Sequence, residues 1–537
     1  MVKDHPHSGD DVETMLKLGR EVLGVPGLTE TDDLFDAGMT SLIALELSDR
    51  LTLVLGRNVT VLDVYDGGTL QRISQMGGTA ETPADQPSAV TAKPFPTGTA
   101  PLSRTQERFW LAEQLAPAAA DNVLMLGYLI TGPLDRRALE RAFAKVIDRH
   151  AALRTRYLWD GDNITQEVLP SSAVDVSIES IKIAGPLHDV DAIAASITVD
   201  WWSRPFELDR RPPWRIGLCR VDRDRHLLVM HIHHIAFDGL SQRIFIDDLC
   251  WFSRHDLGTG SAGPLPAVLG CDDYARYESG LAVDDAEISF WRKTLASVPA
   301  PFLPPPPGDE SALLELVQAV PATTVSEIQA TARSRRVPAL AVLVAATARA
   351  LAQVFGVADL CLGTVTDGRR HPVLDGVVGS FINPIALPVR SAAGRDIADL
   401  VDRVAHTVLM GLQHSRTPFD EIIQVLRPDR GRHPWFQVLV ILQHEAPRGE
   451  LSLGVTIETV RIAAPRTATE LSVEAFPQPD GGWMLQLGWR EDGCDPGAVV
   501  LVAKRLAAVL GDLAAPDVDG RQPGAVRGAT GSSATLE

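Results

Sequence analysis

The stretch His231-Ile-His-His-Ile-Ala-Phe-Asp-Gly239 carries more information about this chain than any other. Just before it, Leu227-Leu-Val-Met230 is apolar and bounded by charge, the pattern of a buried strand. A strand that ends in His233-His234 and turns at Asp238-Gly239 places imidazoles at the rim of a core, within reach of a substrate. Histidine is the side chain best suited to move a proton near neutral pH. The plainer alternative is a pair of core histidines satisfied by hydrogen bonds, as most buried polar groups are. A third is a metal site, because His231 and His233 share one face of a strand. A His-x-His pair can hold zinc, but three protein ligands are usual and no third stands out, so no metal is expected.

At 537 residues the chain is too long for one ordinary domain. Hydrophobic residues make up 45% and charged residues 22%, the composition of an ordered protein with sizeable cores. A formal net charge of −19 argues against nucleic acid as a partner, since phosphate binding needs clustered Lys and Arg. Five scattered cysteines (Cys219, Cys250, Cys271, Cys361, Cys494), with no Cys-x-x-Cys, read as core residues of a reducing compartment. Met-Val-Lys-Asp-His-Pro leads straight into polar sequence, so no secretory leader is expected, and the longest apolar stretch, 337–348, is too short for a bilayer. The expected placement is cytoplasmic, with no membrane partner.

Composition divides the chain. A small unit, 1–80, reads as four helices, over 11–23, 41–55, 61–65 and 69–75, from apolar residues at helical spacing. It carries 13 Asp/Glu against 6 Lys/Arg, a net charge of −7. A Pro- and Ala-rich linker is expected over 81–98, and a disordered tail over 517–537. The large remainder mixes strands (123–130, 215–221, 227–233, 360–364, 436–443, 484–490) with helices (134–150, 325–335, 339–355). That alternation predicts α/β layers.

In the small unit, Asp33-Leu-Phe-Asp-Ala-Gly-Met-Thr-Ser-Leu42 places Gly38 for a tight turn and Ser41 at the start of the second helix. A helix N-terminus suits an attached phosphate, although Thr40 or Ser41 could equally serve only as a cap. The pattern resembles acyl or peptidyl carrier domains over residues 10–78. The resemblance implies 4′-phosphopantetheine attached covalently to Ser41. Gly-Met-Thr stands where the family usually has Gly-Gly-His before the serine.

Between Thr99 and Pro516 the chain resembles the condensation-domain family of nonribosomal peptide synthetases. Its motifs run in the family's order: Leu102-Ser-Arg-Thr-Gln-Glu-Arg-Phe-Trp-Leu111, Arg149-His-Ala-Ala-Leu-Arg-Thr155, His233 to Ser241, and Tyr274-Ala-Arg-Tyr with Phe290-Trp-Arg. Val378-Gly-Ser-Phe-Ile-Asn383, Arg416-Thr-Pro-Phe-Asp-Glu421 and His433-Pro-Trp-Phe-Gln437 follow. The implied fold is multidomain. A small all-α four-helix carrier bundle precedes an α/β condensation domain of two chloramphenicol-acetyltransferase-like lobes in a V. The lobes are expected at 99–275 and 276–516. The resemblance implies that His234 is the active-site group in a tunnel at their junction, supported by His233 and Asp238. Arg369 falls where the family's partner for Asp238 would lie, and Gly239 suits close backbone approach. Asn383 and Gln437 are expected near the tunnel or in the second lobe, with plain surface or packing residues as the alternative.

The implied reaction is amide formation. A donor acyl or peptidyl thioester on the carrier is attacked by the amine of an aminoacyl group on a downstream carrier. Adjacent adenylation domains and a phosphopantetheinyl transferase are the implied partners, and the chain is expected to be a monomer. Epimerisation is a rival that shares the His pair, but it needs a second acid/base, and the family's Glu-Gly-His-Gly-Arg run is absent. Heterocyclisation would replace the histidines. A non-catalytic docking domain is the rival of a different class, and such domains usually lose part of the pair.

Overall fold

Threonines and glycines set the ends of the helices in the first unit. The computed structural model describes residues 9–76, 98–115, 122–182, 189–202, 204–256, 258, 263–281, 283–304, 313–369, 372–393, 396–427, 435–462 and 469–514. Helices Gly9–Leu23, Ser41–Leu55, Val61–Gly67 and Leu70–Gln75 form the bundle. Thr40, Thr60 and Thr69 cap the last three, and Thr60 forms a capping box with Asp63. Gly56 and Gly68 end two of them in the left-handed conformation. Leu34, Leu47, Leu51, Val61, Val64 and Ile73 are fully buried between the helices. The linker expected over 81–98 and the tail over 517–537 lie, residue 98 excepted, outside the described residues.

The first lobe is built on a six-stranded sheet. Its order is Arg448–Ser452, Val455–Val460, Val123–Thr131, Arg225–His233, Trp214–Arg220, Glu179–Ile181. The strand Arg225–His233 lies inside this sheet and is covered on both faces. Leu228, Met230 and Ile232 join the core made with helices Arg136–Arg149 and Gly239–Asp256. Leu227 and Val229 meet Ile193, Ile197 and Trp201 of helix Val190–Trp202 on the other face. Burial on both faces is why this strand reads as a continuous apolar run rather than an alternating one.

The second lobe has another six-stranded sheet, in the order Asn383–Val389, Leu360–Thr366, Val438–Leu442, Leu471–Pro477, Trp483–Arg490, Leu313–Val320. Helices Ala322–Arg335, Ala339–Phe355, Ile397–Gln413 and Pro496–Ala514 bury their apolar faces in its core. No single described helix is long and apolar enough to cross a membrane.

The sheets do not respect a division at 275/276. Val455–Val460 pairs antiparallel with Val123–Thr131, and Arg448–Ser452 extends that edge. The late part of the chain therefore crosses back and completes the first sheet. Leu451, Val455 and Ile457 are buried in the first-lobe core, which accounts for the exchange.

The bundle lies against the second lobe. Asp49 pairs with Arg416 at 2.7 Å and Arg50 with Asp375 at 3.2 Å. The Val61 N–H donates to Gln413 Oε1 at 2.7 Å, and Arg336 donates to the Asp66 carbonyl at 3.0 Å. Leu409 of helix Ile397–Gln413 is buried within the bundle's own hydrophobic cluster.

Candidate active site

His231 and His233 close the strand Arg225–His233 on one face, and both meet the Phe206 ring, at 4.7 and 5.8 Å between centroids. His231 lies beside Arg215, 3.4 Å from its guanidinium. Burial, and then Arg215, push its pKa down to about 3. A neutral imidazole under an aromatic ring is a packing element of the strand. Among the described residues, no group of three or more His, Cys, Asp and Glu is arranged to hold a metal ion.

His233 is fully buried and held at both ring nitrogens. Its Nδ1 accepts the Ile235 N–H at 3.0 Å. A backbone N–H only donates, so Nδ1 carries the lone pair. Nε2 then carries the hydrogen and donates to Glu113 Oε2 at 3.3 Å. Glu113 also accepts from Asn122 Nδ2 at 3.2 Å. Both nitrogens of His233 are committed, which removes it as a base toward any substrate.

His234 begins the 3-10 turn His234–Ala236 that follows the strand. Within 231–238 it is the one residue that is partly exposed. Its Nδ1 lies 3.0 Å from the Phe237 carbonyl oxygen. A carbonyl only accepts, so Nδ1 carries the hydrogen and the neutral ring keeps its lone pair on Nε2. The Phe109 ring stacks on the imidazole, with centroids 5.2 Å apart and planes 7° apart. Phe109 and Glu113 stand four residues apart on helix Arg104–Leu115, so one helix face backs both histidines. Phe109 falls inside the opening motif, but nothing local in the sequence assigns it or Glu113 a role at the site.

Asp238 does not face solvent. Arg369 Nη1 donates to its Oδ2 at 2.8 Å and Nη2 to its Oδ1 at 3.1 Å, with both side chains 1% exposed. The Ser241 N–H and the Phe381 N–H complete its shell at 2.9 and 3.1 Å. Arg369 also donates to Ser241 Oγ and the Val377 carbonyl, and its guanidinium lies 4.3 Å from the Phe381 ring centre. The pairing expected from the sequence is present, and it joins the lobes. Asp238 and Ser241 come from the first, Arg369 and Phe381 from the second.

Gly239 differs from expectation. It opens helix Gly239–Asp256 with an ordinary φ, and a Cβ built on it meets nothing within 4 Å. Close backbone approach is not what selects glycine there. Asn383 and Gln437 are packing residues of the second lobe. Asn383 Nδ2 donates to the Ser415 and Thr417 carbonyls and its Oδ1 accepts the Phe419 N–H. Gln437 Oε1 accepts the N–H groups of Phe302 and Leu303, both at 2.8 Å. In the second motif, Arg149 and His150 both bond Asp248 of helix Gly239–Asp256, at 2.8 and 2.7 Å. This motif braces the helix that follows the active-site turn.

In the bundle, Ser41 is the first residue of helix Ser41–Leu55 and is partly exposed. The cap is Thr40, whose Oγ1 accepts the Ile43 N–H at 3.3 Å. Gly38 sits at φ 92°, a conformation that favours glycine. The turn thus presents the Ser41 hydroxyl at the positive end of a helix with the capping duty already met, a placement that fits a phosphodiester.

Comparison with known proteins agrees with this division. The family model described as "Condensation domain" matches residues 97–515, and that described as "Phosphopantetheine attachment site" matches 13–76. Phosphinothricin tripeptide synthetase PhsB of Streptomyces viridochromogenes is 29% identical over 82% of this chain and 38% of its own length. The chain spans 7%, 3% and 38% of three curated relatives it matches. Among solved structures, the first condensation domain of the CDA synthetase superposes with TM-score 0.68 at 22% identity, covering 78% of this chain and 97% of that one. The X-domain from teicoplanin biosynthesis gives 0.66 at 23%, covering 79% and 97%. At these identities the superpositions speak to fold.

Proposed function

The chain belongs to the condensation-domain family, preceded by a phosphopantetheine attachment domain, and on that premise we propose that its own carrier delivers the donor. In this reading the acyl or peptidyl donor is carried on Ser41, and the amine comes from an aminoacyl group on a downstream carrier. The coarser activity is that of the family: amide-forming acyl transfer in nonribosomal peptide synthesis. Adenylation domains that load the carriers, a phosphopantetheinyl transferase that modifies Ser41, and a cytoplasmic setting complete the reading.

The observation that carries it is the Phe237 carbonyl at Nδ1 of the partly exposed His234, which puts the neutral ring's lone pair on Nε2. Phosphopantetheine, once attached, supplies the thiol that holds the donor as a thioester. His234 Nε2 accepts a hydrogen bond from the attacking amine and takes its proton as the C–N bond forms. The same nitrogen returns that proton to the sulfur as the C–S bond breaks, so protons balance over the cycle. Phe109 and the Phe237 carbonyl fix the ring plane and its tautomer. The Asp238–Arg369 pair holds the turn and stays out of the proton path, since all its polar contacts face protein.

A second reading, a non-catalytic recruiter, draws on the near-equal likeness to the X-domain fold; one solved structure is titled as a complex of that domain with OxyB. The intact pair His233-His234 and the Nδ1–H tautomer that the Phe237 carbonyl imposes on His234 favour catalysis. The test is His234→Ala in the full chain, with Ser41 loaded and an acceptor supplied. Loss of amide product of about a hundredfold or more supports the assignment, and an undiminished yield overturns it. For Ser41, modification by a phosphopantetheinyl transferase that persists in Ser41→Ala, read by intact-protein mass, overturns that part alone.

A further inference from the structure

The stretch 373–381 touches both the docked bundle and the active-site turn. Asp375 pairs with Arg50 of the bundle at 3.2 Å. Two residues on, the Val377 carbonyl accepts from Arg369 Nη2 at 3.0 Å. The Gly379 N–H donates to Ser241 Oγ at 3.0 Å, and the Ser241 hydroxyl lies 2.9 Å from the Gly379 carbonyl. The Phe381 N–H donates to Asp238 Oδ2 at 3.1 Å. One short segment therefore supplies backbone groups to all three members of the buried network, Asp238, Arg369 and Ser241.

The segment has packing of its own. Leu374, Val377 and Phe381 form a small hydrophobic cluster with Leu269, separate from the two lobe cores. Tyr274 packs edge-on against Phe381 at 5.0 Å. At the other end Arg50 is only 11% exposed and serves three carboxylates, Glu46 at 2.7 Å, Asp375 at 3.2 Å and Glu21 at 3.3 Å. It is the cation that lets the acidic bundle approach Asp375. Without it, Glu46 and Asp375 would face each other as like charges across the contact.

We propose that 373–381 is a strap through which the docked carrier steadies the active-site turn, with Arg50 and Asp375 as positioning residues. This inference rests on the donor-carrier reading above. It predicts that docking does more than raise the local concentration of the donor: it tightens the clasp at Asp238 that holds the His234 turn. Arg416 provides the contrast, because it binds Asp49 of the bundle at 2.7 Å without belonging to the strap.

Amide hydrogen exchange in the full chain tests the proposal, with each amide followed individually. Arg50→Ala is expected to speed exchange at Gly379 and Phe381 about three- to tenfold, the size of a typical coupling between sites. Arg416→Ala is expected to speed it much less. Exchanging the charges, Arg50→Glu with Asp375→Arg, is expected to restore slow exchange. Exchange in the strand Arg225–His233 controls for global unfolding. Unchanged exchange in Arg50→Ala overturns the proposal, as does an equal effect from Arg416→Ala, which would make docking as a whole the cause. Exchange is read without substrate, so failure of the donor-carrier reading would show separately, as absence of amide product in the unaltered chain.

Discussion

Glu113 accepts from His233 Nε2 one helical turn beyond Phe109, whose ring stacks on His234. One amphipathic stripe therefore sets the tautomer of one histidine and the plane of the next. Glu113→Ala would leave a buried N–H without its acceptor, at a cost of about 1–3 kcal/mol. We expect a lower Tm and a fall in kcat for amide formation, with KM for the acceptor little changed. Glu113→Gln keeps an acceptor and should recover most of both. Equal activity in the Ala variant and the unaltered chain would remove Glu113 from the site.

The Asp238–Arg369 pair is buried on both sides. Removing one partner strands a charge, and Arg369→Ala should cost about 3–5 kcal/mol. Arg369→Lys should also fail, because an ammonium cannot reproduce the two-pronged contact. Urea unfolding followed separately in each lobe checks this. A loss below about 1 kcal/mol would mean that water reaches the pair.

Two glycines should behave in opposite ways. A Cβ on Gly363 would lie 2.4 Å from the Phe436 ring, whereas one on Gly239 meets nothing within 4 Å. Gly363→Ala is expected to destabilise the second lobe by about 1–3 kcal/mol through overpacking. Gly239→Ala should leave Tm intact, and any effect should appear in turnover. Loss of folding in Gly239→Ala would show that its backbone is constrained after all.

Docking of the carrier should depend on pH. Burial, then the neighbouring Glu46, push the Asp375 pKa from the ordinary 3.8 up to about 6, against the pull of Arg50 and Arg369, with Asp367 adding to the rise. The docked state thus holds the proton more tightly than the free state. Docking is favoured on the acid side, weakens as pH rises through about 6, and is flat above. Energy transfer between labels on the bundle and on the second lobe, read from about pH 5 to 8, should follow that curve. Asp375→Asn should flatten it, and an unchanged curve in that variant would assign the titration elsewhere.

Much of this was legible where the signal is local. The helices of the bundle announce themselves by threonine caps and apolar spacing, and the strand before His233 by its apolar run. The Asp238–Arg369 pair was reachable only through family resemblance, since 131 residues separate the partners. Glu113 was not reachable at all: a glutamate on a helix reads as solvated, and only the fold brings it to His233, 120 residues away. The strand Val455–Val460 shows alternating burial over its first residues, a period-two signal that was missed. Even so, alternation says that a strand exists and not which sheet it joins.

That strand has a practical meaning for anyone recombining such enzymes. A segment ending near residue 275 would lack the two strands that cover the edge of Val123–Thr131. It would expose a row of unpaired backbone groups and the apolar positions that Leu451, Val455 and Ile457 now fill, the recipe for aggregation. The two lobes are interlaced in chain order, so a module boundary that preserves one lobe must carry both.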